Sequence, residues 1–293
     1  MGTDIMGQRP SRWATIIDRI SAVFLLLIHS NLLISTATTS VAVSTILLAD
    51  LKIEALPLFI VFAVTLFVYS FNRLTDIAED EQNVPRRASF IDRYGLALLA
   101  LGTALYFVAT VAAVASGIPG APAMVVPLVV ALLYSVVGLK HVLLVKNLLV
   151  GLSWGLIPLG VGVYYDVLLT LDILFMFGFI TTAITIAAVV FDIKDIEGDT
   201  AEGIQTVPVL VGPRRTRQFA VVASSVLGIV VLGLLVAGIL HAQYATLLVF
   251  VGYMIGYSLV ATTDRTPLFY GGIIDSEHIV LAALLLCLEY LRP

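Results

Sequence analysis

The chain has 293 residues, of which 60% are hydrophobic and only 12% charged, with a mean hydropathy of +1.05. A soluble domain carries about 25% charged residues, so this composition cannot cover a globule in water and points to the bilayer as solvent. The net charge of −4, without a basic arm or Lys/Arg run, gives no footing for nucleic acid, and the single Cys287 excludes an intramolecular disulfide. Set in an apolar run, Cys287 reads as buried and inert.

The first apolar run begins near Ile20, after Arg9, Arg12, Asp18 and Arg19, and continues past His29 and Asn31 to about Leu48. It is too long for a signal-peptide core and reads as a first membrane helix. Further apolar segments, each near the roughly 20 residues a spanning helix needs, follow at about 56–76, 94–115, 121–138, 146–165, 169–191, 218–240, 243–262 and 270–290. No linker or low-complexity tract divides them. The expected fold is all-α: one domain over 1–293, a polytopic bundle of about nine transmembrane helices.

If the N-terminus faces the cytoplasm, the connections after the even-numbered helices do too. That side then holds 14 of the 16 Lys and Arg residues, leaving Lys52 and Arg292 opposite, as the positive-inside rule favours. Both acidic clusters fall on the same side. Asp76, Glu79, Asp80 and Glu81 follow the second helix, and Asp192, Asp195, Glu197, Asp199 and Glu202 follow the sixth. Each cluster is trailed by Pro and paired arginines, NVPRR at 83–87 and VPVLVGPRR at 207–215, a weak internal echo.

On a continuous helix, Asn72, Asp76 and Asp80 lie within about 80° of one another, and Asp192, Asp195 and Asp199 within about 60°. Stacked like charges at the edge of hydrocarbon repel and lose hydration. A hard cation resolves both costs, and Mg²⁺ binds through one or two carboxylates and commonly completes its shell with substrate phosphates. Two facing carboxylate stripes therefore suit Mg²⁺ holding a diphosphate. Arg86, Arg87, Lys140 and Lys146 are placed to meet the remaining phosphate charge. The bland reading of either window alone is an acidic loop solvating a helix end.

These segments resemble the UbiA-type superfamily of membrane prenyltransferases. NRLTDIAED matches its N-D-x-x-D-x-x-x-D signature at Asn72, Asp76 and Asp80, with the continuation at Asn83, Pro85 and Arg87. FDIKDIEGDTAEGIQTVPVLVG matches the second signature through Asp192, Asp195, Asp199, Gly203, Thr206, Pro208 and Gly212. Between them Tyr134, Ser135, Lys140, Lys146, Asn147, Trp154 and Gly155 are similar to a third stretch. Arg73 stands where the family often has Asp, and Val84 where it often has Lys.

The resemblance implies a bundle around a central cavity, with a prenyl diphosphate bridged by Mg²⁺ to both motifs and its tail in an apolar tunnel. Asn72, Asp76, Asp80, Asp192, Asp195 and Asp199 would hold the metal, the five aspartates serving catalysis. Asn31, Asn72, Arg73, Arg86, Arg87, Tyr134, Lys140, Lys146 and Asn147 would bind substrate. Departure of diphosphate would leave an allylic cation for a lipophilic or aromatic acceptor to capture. Small residues such as Gly102, Gly151 and Gly155, if they face inward, would set tunnel depth.

Other residues read more plainly. Ser30 and Asn31 are a polar pair at membrane depth, and such pairs usually face other helices. His29 reads as structural, and His141, His241 and His278 have no metal-ligand spacing and receive no role. Arg214, Arg215 and Arg217 read as topology residues, and Glu79, Glu81 and Glu197 as solvated. Trp154, Tyr164 and Tyr165 fit either the cavity or the interfacial belt. Two other classes compete: an ion-coupled transporter, for which intramembrane acids and a repeat also speak, and an inactive scaffold.

Overall fold

The computed structural model describes residues 12–75, 77, 84–118, 120–129, 143–201 and 203–291. Among them every regular element is helical. The long helices are α1 (Arg12–His29), α2 (Leu32–Leu48), α3 (Ala55–Thr75), α4 (Pro85–Ala115), α5 (Val145–Tyr164) and α6 (Leu171–Phe191). After the short α7 (Ile196–Ala201) and α8 (Val207–Val211) come α9 (Pro213–Val236), α10 (Thr246–Val260) and α11 (Glu277–Tyr290). A 3-10 turn, Ala242–Ala245, leads into α10, and a π-helix, Phe269–Ile274, leads into α11.

Among the described residues, seven helices are long and apolar enough to cross a membrane, or eight if the bent pair α1–α2 counts as one span. The expected span at 121–138 is described only in part, as a 3-10 turn Ala121–Met124 and helical residues 125–129. Its remainder lies outside the described residues. Leu96, Phe107, Ile229 and Val236 stand 77%, 68%, 67% and 81% exposed on the long helices α4 and α9. Such a continuous apolar exterior is stable only against lipid, and the chain is a multi-pass membrane protein. Cys287, expected to be buried, is exposed on α11. An apolar run in a membrane helix supplies lipid-facing positions as readily as core ones, so its composition does not select the inner face.

The first apolar run is not one helix. It breaks at Ser30–Asn31, and the two halves bend by 71°. Asn31 adopts the left-handed conformation, φ 61°, which Asn tolerates better than most residues because its short polar side chain bonds locally. Irregular backbone at membrane depth survives only where protein or a cavity surrounds it. Here Asn31 is buried, its Nδ2 donates to Ser70 Oγ at 3.4 Å, and its carbonyl accepts from Ser35 Oγ at 2.8 Å. Most hydroxyls of α2 are satisfied in the same internal way, Ser44 Oγ being the exception. Thr39 donates to Ser35 O at 2.7 Å, Thr45 to Val41 O at 2.8 Å, and Thr38 crosses to Thr65 on α3 at 2.9 Å.

Helix α6 carries the core, burying Ile173, Met176, Ile180, Ala183, Ala187 and Val190 against α2, α5 and α9. Its approach to α5 depends on glycine. A Cβ on Gly151 would stand 2.5 Å from Thr181 O, and one on Gly155 would strike Thr181 Oγ1. Gly102 on α4 does the same work against α3, where a Cβ would lie 2.9 Å from Phe67 Cα. These glycines therefore face neighbouring helices as small-residue contacts, and none is among the wall residues of the two cavities described below. At Gly102 the obstructing atoms are backbone and cannot swing away. Gly102→Val is expected to cost about 2 kcal/mol by overpacking, read as a lowered melting temperature in detergent, whereas Leu96→Val on the lipid face is expected to leave it unchanged.

Candidate active site

The second acidic window does not continue α6. The helix ends at Phe191, and residues 192–195 form tight turns in which Ile193, Lys194 and Asp195 donate to Val190, Phe191 and Asp192 carbonyls at 3.1, 3.2 and 3.2 Å. Asp199 then lies on the short α7. The three aspartates converge through this turn rather than as a stripe on one helix. The rest of the motif shapes the turn. Gly203, at φ 70°, closes α7 in the left-handed conformation, and Ile204 N donates back to Asp199 O at 2.8 Å, a Schellman-type end that favours glycine. Thr206 caps α8 by position and donates to Asp199 Oδ2 at 3.1 Å.

Asp192 is 3% exposed, and both of its oxygens are held from the first turn of α5. Lys146 Nζ lies 2.8 Å from Oδ1, and Asn147 Nδ2 donates to Oδ2 at 2.8 Å. Asp195 takes the Lys194 ammonium on both oxygens, at 2.7 and 2.6 Å. Burial raises the Asp192 carboxyl above the ordinary range against the lowering pull of Lys146 and Asn147. Burial likewise pushes Asp199 up to about 6; Lys146 and the Thr206 bond oppose this, and the charges of Asp192 and Asp195 reinforce it.

These groups open on a cavity of about 400 Å³, whose wall includes Asn31, Arg73, Arg87, Lys146, Asn147 and the three aspartates. Asn72 lies in the last turn of α3 and Arg86 is exposed near the start of α4; neither is among the described wall residues. Asp76, Asp80, Tyr134 and Lys140 lie outside the described residues. The wall also holds residues to which the sequence assigned no role: Tyr69, Asp275, Glu277 and His278. Asp275 is within electrostatic reach of Arg73, Lys194 and Arg87.

Tyr69 and Trp154 both line this cavity, with Trp154 Nε1 donating to the Tyr69 hydroxyl at 3.2 Å. The same two rings also line a second cavity of about 330 Å³, walled by apolar residues of α3 and α5 such as Ile60, Val64, Val68 and Ile157. A charged chamber and an apolar one thus share a wall of two rings.

The carboxylates supply the hard oxygen donors that Mg²⁺ prefers. Among the described residues no three His, Cys, Asp or Glu side chains form a metal cluster.

Fold and site define a class: an intramembrane protein whose helical bundle encloses a carboxylate- and cation-lined chamber. Residues 32–268 match the UbiA prenyltransferase family, and the chain belongs to it. That membership selects the enzyme over the transporter and scaffold readings. Among solved structures, a UbiA homologue from Aeropyrum pernix K1 in its apo form superposes with a TM-score of 0.64 at 16% identity, covering 88% of this chain and 99% of the other. A UbiA homologue from Archaeoglobus fulgidus bound to DMAPP and Mg²⁺ gives 0.61 at 14%, covering 90% and 99%. A digeranylgeranylglyceryl phosphate synthase gives 0.52 at 20%, covering 90% and 95%. At these identities the likeness establishes the fold. No curated protein sequence matches the chain significantly.

Lys146 is the principal counter-charge to a buried carboxylate. Removing one partner of such a pair leaves an uncompensated charge, and because Lys146 is 21% exposed the expected cost of Lys146→Met is about 2 kcal/mol, below that of a fully buried pair. The double variant Lys146→Met/Asp192→Asn is expected to recover most of it. A thermal-unfolding double-mutant cycle in detergent reads the coupling, and additive losses would contradict it.

Proposed function

We propose that this protein transfers a prenyl group from an isoprenoid diphosphate to a lipophilic or aromatic acceptor within the membrane, in a Mg²⁺-dependent reaction. The observation that carries the reading is the pair of chambers sharing Tyr69 and Trp154: one charged, sized for a diphosphate, the other apolar, sized for hydrocarbon. The homologue bound to DMAPP and Mg²⁺, and the digeranylgeranylglyceryl phosphate synthase, support the donor and a lipid acceptor.

In this reading Asp192, Asp195 and Asp199, with Asn72, Asp76 and Asp80 from the first motif, hold the metal. Bound Mg²⁺ supplies charge neutralisation for a diphosphate leaving group. Arg73, Arg87 and Lys146 bind phosphate oxygens, and Asn147 orients Asp192. Lys146 pairs with Asp192 and Lys194 with Asp195, so their ammonium groups lie beside the place where phosphate charge arrives. The apolar chamber excludes water from the developing cation. Both motifs, and the N-terminus, face the cytoplasm, as the 14-to-2 distribution of basic residues favours.

Purified protein is expected to bind geranylgeranyl diphosphate in the presence of Mg²⁺. Asp192→Ala and Asp199→Ala are each expected to weaken binding by roughly 10- to 100-fold. Wild-type protein that is folded and binds no prenyl diphosphate of any length would sink the proposal. A metal ligand must be deprotonated, and burial pushes the Asp199 carboxyl up to about 6. Its raised value means the proton is bound below that pH, so binding should be flat from pH 8 to 7 and weaken by about tenfold per unit as pH falls below 6. Asp199→Asn is expected to bind weakly and to flatten that part of the profile.

A further inference from the structure

The first turn of α11 carries a polar pair that the metal-facing motifs do not use. Glu277 is 2% exposed and His278 fully buried, yet both line the charged chamber. Both ring nitrogens of His278 make no hydrogen bond among the described residues, and Glu277 Oε2 has only the Tyr257 hydroxyl near it. The nearest approach of the two side chains, 3.6 Å from His278 Nε2 to Glu277 Oε1, is too long for one. Buried polar atoms are almost always satisfied, and leaving one bare costs about 1–3 kcal/mol. Several at one spot in a cavity wall is an arrangement that a ligand completes.

Their position says which ligand. The His278 ring lies between Trp154, at 5.3 Å between centroids, and Phe250, at 4.9 Å. Trp154 is also part of the wall shared with the apolar chamber. A donor with its diphosphate at Asp192 and its tail beyond Trp154 has its reacting carbon passing this ring. The π-helix Phe269–Ile274 immediately precedes the pair. Such irregular turns recur at functional sites, and this one sets the register that turns Asp275, Glu277 and His278 toward the chamber. Asp275 faces the cations Arg73, Lys194 and Arg87. Glu277 and His278 sit among rings, with the Tyr257 hydroxyl nearby on the Glu277 side.

Resting on the prenyltransferase reading, we propose that Glu277 and His278 form the acceptor end of the site, that the acceptor presents a neutral hydroxyl there, and that the pair takes its proton. A group with one hydrogen to give suits a neutral imidazole, whereas a carboxylate head would meet Glu277 unpaired in apolar surroundings. In the step, the bond between the prenyl carbon and the diphosphate oxygen breaks, and its electron pair leaves with diphosphate. The acceptor oxygen bonds to that carbon. Its proton passes to the ring nitrogen of His278 that carries none, with the Glu277 carboxyl 3.6 Å from that ring.

The test uses full-length protein with Trp13→Phe, which leaves Trp154 as the single tryptophan. Its fluorescence is followed on titration with para-octylphenol and with para-octylanisole, in which a methyl group replaces the hydroxyl hydrogen. The phenol is expected to bind at least about tenfold tighter. His278→Phe keeps the ring packing and is expected to reduce that preference to about twofold or less. It is also expected to lower prenylation of the phenol by roughly 100-fold or more, with Mg²⁺-dependent binding of geranylgeranyl diphosphate unchanged. Glu277→Gln is expected to retain the phenol preference and lose prenylation. Equal binding of the two probes by the wild type, or a preference surviving in His278→Phe, overturns the acceptor site. Diphosphate binding without phenol prenylation in the wild type overturns the proton step. Failure of the wild type to bind geranylgeranyl diphosphate at all sinks the function reading instead, and the two probes still judge the pair.

Discussion

A carboxylate at the edge of hydrocarbon has to be answered from within the protein, and the Asp192 contact to Lys146 and Asn147 is that answer. Burial drives the group toward its neutral form, and an ammonium and an amide on α5 pull it back. The contact has conditions. The chain must turn immediately after Phe191, so that Asp192 leaves the axis of α6. The first turn of α5 must lie beside that turn, which the glycine contacts between α5 and α6 permit. Metal-facing residues, helix pair and chamber wall are therefore one construction.

The same economy governs the other departures from regular helix. Asn31 interrupts the first apolar run, the turn at 192–195 ends α6, and the π-helix at 269–274 introduces α11. All three open on the charged chamber. In lipid an unpaired backbone group has no solvent to bond, so breaks are confined to places where side chains or a cavity receive them. At Asn31, Ser70 and Ser35 do so.

The sequence made the bundle legible because membrane helices announce themselves by length and hydropathy, a signal that needs no tertiary context. The second acidic motif was legible for a different reason: clustered charge in so apolar a chain demands an explanation. Its geometry was not, because a spacing of i, i+3, i+7 is satisfied equally by a helix face and by a turn leading into a short helix. Asn31 was noticed as polar, but a single Asn among Leu and Ile does not reveal a 71° bend. Glu277 and His278 carry no such signal, because His278 has no partner at metal-ligand spacing and a single acid near a helix end marks nothing by itself. Only the packing of α11 against Trp154 and Phe250 places them inside. Cys287 shows the converse: it is exposed, since in a membrane an apolar neighbourhood does not distinguish inside from out.

Gly151 and Gly155 have a bearing on how this site can change over time. They touch neither chamber, yet the clearance they leave sets how near α5 comes to α6, and so where Lys146 meets Asp192. Drift at these two positions toward any larger residue would move the charged ends of both helices together. The motifs would stay intact while the distances between them changed. Part of what is inherited as chemistry in this protein is thus stored where there is no chemical group at all, and a comparison of homologues confined to the charged residues would overlook it.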